Sequence, residues 1–520
     1  MDWKHGYFAE SGYTYGYYPE TSPARLRWAA LLKGIKAPSS HFRYLDLGCG
    51  QGLNLILMAA NHPDSEFVGI DFMPEHVAHG RALAESAGLS NVRFIEGDFI
   101  QLAEGLATLE SSLGTFDYAV AHGITTWIAP AVREALFKLA GSLLKPSGLM
   151  YNSYNTYPGW LPASPFQHLV MQLQQRYSGP QALQLAQQHM AALKESGSAL
   201  YSLVPLLDGR LDNMKKQDAT YLVQEYNNQY WQPVYCSQML QLARQYKLDF
   251  AVSATLPEVF EGAYPPKLLA QINSETDPVV RETLRDLALG QSFRRDLYVK
   301  GALIYWSKDK SDQLLDQRFL ATQSVPAPTA DSNFEIKGGA LSLNGKREAY
   351  MEVLDAFGPD GASLRQVQEA LPKVSFPTLV QITSLLMHGG WMALDCAGGN
   401  THSNTAPPFY ASSLNAAIGV AVLAGAPYRY VALGRVQSAM GVSDLDLMLI
   451  GLTAQGVESA QLGLQLHLAM GQLGKRFVVE GKTLEDDATA KAHAIGLAGQ
   501  FISEKLPNLK RLGAIQSQLL

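Results

Sequence analysis

Asp46, Asp71 and Asp98 stand at or just beyond the ends of three short apolar runs, "RYLDLG", "EFVGID" and "VRFIEGDF". The first run leads directly into Gly48, Cys49, Gly50, Gln51 and Gly52. A glycine loop in that place lets a ligand approach the backbone with no side chains in the way. In the dinucleotide fingerprint G-x-G-x-x-G, the third glycine falls five residues after the first and a helix N-terminus faces a pyrophosphate. Here the fifth place is Leu53, and the pattern is G-x-G-x-G with an acid before it.

That pattern suits a ligand with an amino-acid end better than one with a pyrophosphate. Asp46 can balance an ammonium directly or through water, Asp71 can accept both ribose hydroxyls, and Asp98 can accept from the exocyclic amine of adenine. S-adenosylmethionine carries these groups, together with a sulfonium, and has no phosphate. A lone aspartate after a strand is commonly a turn or helix cap. Three at the carboxyl ends of successive strands mark the edge where open α/β sheets bind ligands. Cys49 reads as a small filler of the loop.

The elements that must position these residues follow from periodicity. From Arg43 to Tyr154, the runs "RYLDLG", "EFVGID", "VRFIEG", "FDYAVAHG" and "GLMYNSYN" alternate with helical stretches such as "PEHVAHGRALAESAG" and "PAVREALFKLAGSLL". Repeated βαβ units predict a doubly wound parallel α/β sheet covered by helices on both faces. Ahead of it, Ser22 followed by Pro23 is an N-cap and first helical position, predicting a helix to about Lys33. Six aromatics precede it, Tyr7, Phe8, Tyr13, Tyr15, Tyr17 and Tyr18, with no helical period.

Beyond Trp160 the glutamine- and leucine-rich segments predict helices, with a strand pair around "FRRDLYVKGALIYW". "TQSVPAPTADSN", 322–333, reads as a linker and "NTAPPF", 404–409, as a second break. The three helical stretches between them outline a winged helix. With four basic and six acidic residues from Lys346 to Asp395, that module lacks the charge of a DNA-reading face and is expected to serve in packing or interaction.

The chain of 520 residues, 47% hydrophobic and of formal net charge −6, has room for several cores and no overall basic footprint for nucleic acid. "MDWKHGYFAESG" has no signal-peptide pattern, and the apolar run Ala416–Ala426 is too short to span a bilayer at about 20 residues. Three cysteines without CxxC spacing suggest neither a disulfide framework nor a zinc site. A cytoplasmic protein without membrane insertion is expected, needing no metal.

These residues resemble those of class I S-adenosylmethionine-dependent methyltransferases. "YNSYNTYPGW", "YLVQEYNNQYWQPVY" and "SFRRDLYVKG" extend the resemblance to bacterial members with a methyltransferase regulatory domain, among them the rickettsial protein-lysine methyltransferases. Many relatives have His-Glu-Tyr where this chain has Gln224-Glu225-Tyr226. The implied plan is an N-terminal aromatic lid and helix (1–38), the methyltransferase domain (39–160), a helical regulatory or substrate-covering domain (161–321), the winged-helix-like module (334–403) and a C-terminal domain (410–520).

On this plan the cofactor-binding set is Tyr17, Tyr18, Asp46, Gly48, Cys49, Gly50, Gly52, Asn54, Asp71, Phe72, Gly97, Asp98, Phe99, His122 and Gly123. The acceptor side draws on His122, Trp127, Tyr154, Asn155 and Tyr157. Methyl transfer is an in-line displacement that mainly needs alignment at about 3 Å and exclusion of water. Trp127 and Trp160 also fit as core, His122 as a hydrogen-bonded strand-end histidine, and Tyr17 and Tyr18 as surface packing. The resemblance favours a protein lysine as acceptor. A small-molecule or glycan acceptor stays open, as does a non-catalytic binding module on the same fold, which the intact acids oppose. The domains beyond Trp160 are expected to select the acceptor, and an oligomer is possible.

Overall fold

The computed structural model describes residues 3–8, 14–38, 41–396 and 409–515. The expected α1 (Pro23–Leu32) forms with Ser22 as its N-cap, the serine side chain accepting from Arg25 N. Five parallel strands follow: β1 (Arg43–Leu47), β2 (Glu66–Asp71), β3 (Val92–Glu96), β4 (Phe116–Ala121) and β5 (Leu144–Asn155). Between them lie α2 (Leu53–Asn61), α3 (Pro74–Ser86), α4 (Phe99–Glu104), α5 (Leu106–Leu113) and α6 (Pro130–Leu143). The order β3-β2-β1-β4-β5 reverses direction at β1, and a doubly wound sheet binds its ligand at that switch point.

The sheet does not end there. β6 (Asp249–Ser253) and β7 (Phe293–Val299) complete it in the order β5-β7-β6, both pairs antiparallel. The strand pair expected around "FRRDLYVKGALIYW" is therefore a single strand. β7 has β5 on one side and β6 on the other, so no edge is left for a hairpin partner, and Ile304 makes only an isolated bridge to Ile35. Behind β7, buried Arg294 pairs with Glu282, Asp286 and Asp296 at 3.0, 2.6 and 2.9 Å, tying the helix Pro278–Leu289 to the sheet. A buried guanidinium needs such partners, because charge taken out of water unpaired is costly.

The helices from Ser164 to Tyr226 form a separate aromatic core of Trp160, Phe166, Tyr226 and Trp231, which also takes in Trp127. Residues 322–333 carry no regular element, and most of the second break at 404–409 lies outside the described residues. Past the linker, the helices Arg347–Phe357, Leu364–Ala370 and Phe376–His388 assemble with a small antiparallel sheet. That sheet is built on β8 (Arg318–Ala321), flanked by Ala362–Ser363 and Met392–Leu394.

The helix Phe376–His388 is turned inward. Trp28 Nε1 of α1 donates to Ser384 Oγ at 3.0 Å, and Arg25 donates to His388 Nδ1 at 2.6 Å while His388 Nε2 donates to Lys337 O. Burial, then the nearby arginine, pushes the His388 imidazole down to about 3, so it stays neutral and can accept. In the C-terminal domain the apolar run sits in the helix Phe409–Leu423, which meets Asp444–Ala454 at Gly419 and Gly451. A Cβ on Gly419 would lie 2.5 Å from Gly451 N, so this run is a close helix–helix contact. Among the described residues no helix is long and apolar enough to cross a membrane.

Trp28 is 1% exposed and lies edge-on to Phe319 at 5.0 Å, so it joins the cover of the seven-stranded sheet to the C-terminal part. Trp28→Ala is expected to cost about 3–5 kcal/mol, the range for a large aromatic removed from a core. Trp28→Phe, which loses chiefly the hydrogen bond, should cost about 1–2 kcal/mol. Denaturant unfolding of the full chain checks both, and an unchanged midpoint for Trp28→Ala would contradict this packing.

Candidate active site

The glycine loop leaves β1 in a conformation that requires its composition. Gly48, Gly50 and Gly52 have φ of 80°, 54° and 78°, a region in which side chains are strained. Space forbids side chains as well: a Cβ on Gly48 would lie 2.6 Å from Ile124 Cδ1, and one on Gly52 2.6 Å from the Phe94 ring. The amides of Gly48 and Cys49 donate to Ile70 O of β2, at 2.8 and 3.2 Å. Gly50 N donates to Asp71 Oδ2 at 2.8 Å, so one aspartate fixes the tip of the loop.

Asp71 also accepts from Met73 N at 3.0 Å and lies 3.2 Å from His76 Nδ1. A carboxylate has about four acceptor positions, and these three contacts leave room for a further donor. Asp46, 4% exposed on the adjacent strand, is pushed up to about 7 by burial and then by the charge of Asp71. Asp98 is differently engaged: Oδ1 caps α4 through Ile100 N and Gln101 N, and Oδ2 meets His5 Nε2 at 2.7 Å.

These groups border one groove in two halves. The first is lined by Asp46, Gly48, Cys49, Gly50, Asn54 and His122, with Tyr18 and Trp127 also on its wall. The second is mainly apolar and takes in Phe72, Gly97, Asp98, Phe99 and Ile128. Tyr7, Gly48, Asp71 and Ile124 border both halves. Gly52 and Gly123 flank the groove: Gly52 heads α2, and Gly123 N donates to Ser153 Oγ at 2.9 Å. A cradle with glycines where a Cβ would clash, an ionisable pair at one end and an apolar slot at the other fits an aminoacyl-adenosine ligand. Among the described residues, no group of three side chains could hold a metal ion.

The two lid tyrosines part company. Tyr18 stacks on His122 at 3.8 Å, and its amide donates to Asn54 Oδ1 at 3.1 Å. Tyr17 points the other way, its hydroxyl 3.0 Å from Ser438 Oγ in the C-terminal domain. The cover over the second half comes from Tyr7, edge-on to Phe72 at 5.4 Å. Nothing in the local sequence separates Tyr7 from its aromatic neighbours.

At the strand ends, His122 Nδ1 lies 3.1 Å from both Tyr151 OH and Ser153 Oγ. Burial above all pushes His122 down to about 3, so the imidazole is neutral near pH 7 and a weak proton acceptor there. Asn155 and Trp127 come together on Glu225, to which both are bonded, and of the two Trp127 borders the groove. Tyr154 does not join them. Successive strand residues face opposite ways, and Tyr154 turns into the core behind the sheet, where its hydroxyl donates to Asp296 Oδ2 at 2.7 Å. Tyr157, just past β5, lies half-buried against Tyr235 at 5.2 Å. Trp160 packs in the aromatic core under Arg210, whose guanidinium lies 3.7 Å from the ring centre. His5, Tyr7 and Glu225 are the site residues that sequence reasoning missed; the Gln224-Glu225-Tyr226 motif drew notice without assigning Glu225 a task.

Two family models match the chain, a methyltransferase domain over residues 38–228 and a predicted methyltransferase regulatory domain over 218–300. The protein sll1526 of Synechocystis is 29% identical, covering 99% of this chain and 100% of its own. RP789 of Rickettsia prowazekii is 25% identical over 65% of this chain and 61% of its own. Among solved structures, PKMT2 from Rickettsia typhi in complex with AdoHcy aligns with a TM-score of 0.69 at 19% identity. It covers 97% of this chain and 99% of that one, a likeness of fold from end to end. Taken with the sheet and its glycine loop, these matches show an S-adenosylmethionine-dependent methyltransferase, with a methyltransferase domain at 38–228 followed by a match to the methyltransferase regulatory domain at 218–300.

Proposed function

We propose that the chain methylates a lysine side chain of a protein, using S-adenosylmethionine held in the groove described above. The cofactor supplies a methyl group activated by its sulfonium. Asp46 and the loop Gly48–Gly52, with Asn54 beneath Tyr18, receive the amino-acid end. Asp71 takes one ribose hydroxyl through its spare acceptor position, and a second where the His76 contact gives way. Phe72, Phe99, Ile124 and Ile128 enclose the adenine beside Gly97 and Asp98, with Tyr7 above.

His122, Trp127 and Asn155 then wall the acceptor side, and Tyr157 with Tyr235 lies at its outer edge. The work of these residues is alignment and exclusion of water, which supply most of what a displacement at an activated carbon requires. Since His122 is neutral and weakly basic, the amine loses its proton to solvent before it enters.

The observation that carries the protein acceptor is the end-to-end match with PKMT2, a rickettsial protein lysine methyltransferase, across the middle and C-terminal domains as well as the sheet. About 360 residues follow the fifth strand, far more than closing a pocket of a few hundred cubic ångströms requires. The expected result of incubating the enzyme with methyl-labelled cofactor and bacterial lysate is label in protein, recovered as methylated lysine after acid hydrolysis. Label confined to small molecules, glycans or nucleic acid would overturn the choice of acceptor.

The Asp46 role carries a pH signature. Its raised carboxyl binds a proton below about 7 in the free protein, whereas a cationic ammonium favours the carboxylate, so binding at lower pH must expel that proton. Affinity for AdoHcy should be flat above pH 8 and fall about tenfold per unit below 7. Asp46→Asn should bind weakly with no such slope. Calorimetry in buffers of different ionisation enthalpy reads the released proton, and a slope retained in Asp46→Asn would refute this role.

A further inference from the structure

Glu225 is 2% exposed and lies where three parts of the chain meet. Oε1 accepts from Asn155 Nδ2 at the end of β5, 2.7 Å away, and from Trp231 Nε1 at 2.9 Å. Oε2 accepts from Tyr221 OH at 3.2 Å, and the Trp127 side chain is a further donor. Four neutral donors fill the roughly four acceptor positions of a carboxylate. Glu225 is therefore not free to grip a substrate ammonium or to take its proton without giving up a bond.

One of those donors lines the groove, and a second, Asn155, ends β5 next to the segment that carries it. Trp127 is the first, beside Gly48 and His122. The segment around it is stitched to β5 and the middle domain: Asn155 N donates to Thr126 Oγ1 at 3.2 Å, and Gln232 N donates to Thr126 O at 2.9 Å. The remaining donors, Tyr221 and Trp231, come from the middle domain. We propose that Glu225 is a positioning residue for methyl transfer, whose carboxylate holds Trp127 and Asn155 against the middle domain and so fixes the acceptor side of the groove. This rests on methyl transfer as the activity, whatever the acceptor.

The carboxylate is the form that suits four donors; a protonated carboxyl has one acceptor position fewer and a hydrogen to place. Burial pushes Glu225 up to about 7, against the pull of its hydrogen bonds, so its acceptor capacity is lost as pH falls through neutrality. The ionisable groups facing it titrate elsewhere. On its own helix Tyr221 is pushed far up and Tyr226 to about 12, both chiefly by burial. Arg210, from the helix Leu206–Met214, is turned to Trp160 and stacks on its ring. β5, the loop after β4 and the segment at Trp231 present Asn155, Trp127 and Trp231, none of which ionises.

The test uses the full chain and Glu225→Gln, with Trp231→Phe as a milder variant that removes one donor and keeps the carboxylate. The measurements are calorimetric binding of AdoHcy, AdoHcy formation with heat-treated bacterial lysate as acceptor, and tryptophan fluorescence against pH. Expected for Glu225→Gln is AdoHcy affinity within threefold of wild type, kcat reduced at least tenfold, and KM for S-adenosylmethionine unchanged. The wild type should show an acid limb in kcat and a fluorescence transition, both near pH 7, and both absent from Glu225→Gln. Trp231→Phe should fall between, with the acid limb kept. Wild-type kcat and acid limb persisting in Glu225→Gln would overturn the proposal, as would parallel loss of AdoHcy binding and kcat, the mark of a merely structural residue. If wild type itself forms no AdoHcy from the lysate, the supposed activity has failed, and the fluorescence transition still decides whether Glu225 titrates against its two indoles.

Discussion

Two aspartates end neighbouring parallel strands with little water to share. Asp46 and Asp71 are 4% and 6% exposed, and two like charges so placed cannot both ionise without cost. The fold resolves the conflict unequally. Asp71 takes the amides of Gly50 and Met73 and thereby fixes the glycine loop, while Asp46 is left with a proton affinity raised to near neutrality. Stability alone would favour an asparagine or a hydrophobic residue at position 46. A buried acid kept on the wall of a groove marks a place where a cation is expected, and the loop, the strand order and the apolar second half then follow as the frame around an aminoacyl-adenosine ligand.

Two separate covers close on that frame. The N-terminal segment supplies Tyr7 over one half and Tyr18 over the other. The middle domain closes on the Trp127 side of the groove through the bonds that converge on Glu225. The C-terminal part lies elsewhere. It reaches the lid from outside through Ser438 on Tyr17, and the sheet's cover through Tyr428 on His79, Ser438 on Asn61 and Ser384 on Trp28. The contacts of the two parts thus fall in different places: those of the middle domain on the Trp127 side of the groove, and those of the C-terminal part on Tyr17 and the helices that cover the sheet.

What the sequence made legible is what local chemistry dictates. The three glycines, the acids that end the strands and the Ser22-Pro23 helix start each act over a few residues, and their types suffice to place them. Tyr154 and Asn155 looked interchangeable as neighbours at a strand end, but the two-residue period of β5 sends one to Glu225 of the middle domain and the other to Asp296 behind the sheet. Glu225 was hidden for the opposite reason, since its partner Asn155 is 70 residues away and no motif records a convergence of donors. The pairing of Trp28 with Ser384, across 356 residues, was equally beyond reach, as was the place of β7, because a strand's neighbours in a sheet are set by topology and not by its own residues. Asp98 shows the limit of a motif from another side: it is an acid at a strand end, and half of its carboxylate is spent capping α4.

The pairing of loop and acid is most directly tested by calorimetric titration of AdoHcy into the wild type, Asp71→Asn and Asp71→Ala. An aminoacyl-adenosine ligand whose ribose is taken by Asp71 predicts micromolar binding to the wild type, roughly −8 kcal/mol. Asp71→Asn and Asp71→Ala should then weaken it in that order, the alanine by tenfold or more, with NADH failing to compete. Equal affinity in all three proteins, or NADH displacing AdoHcy, would contradict the assignment of this groove.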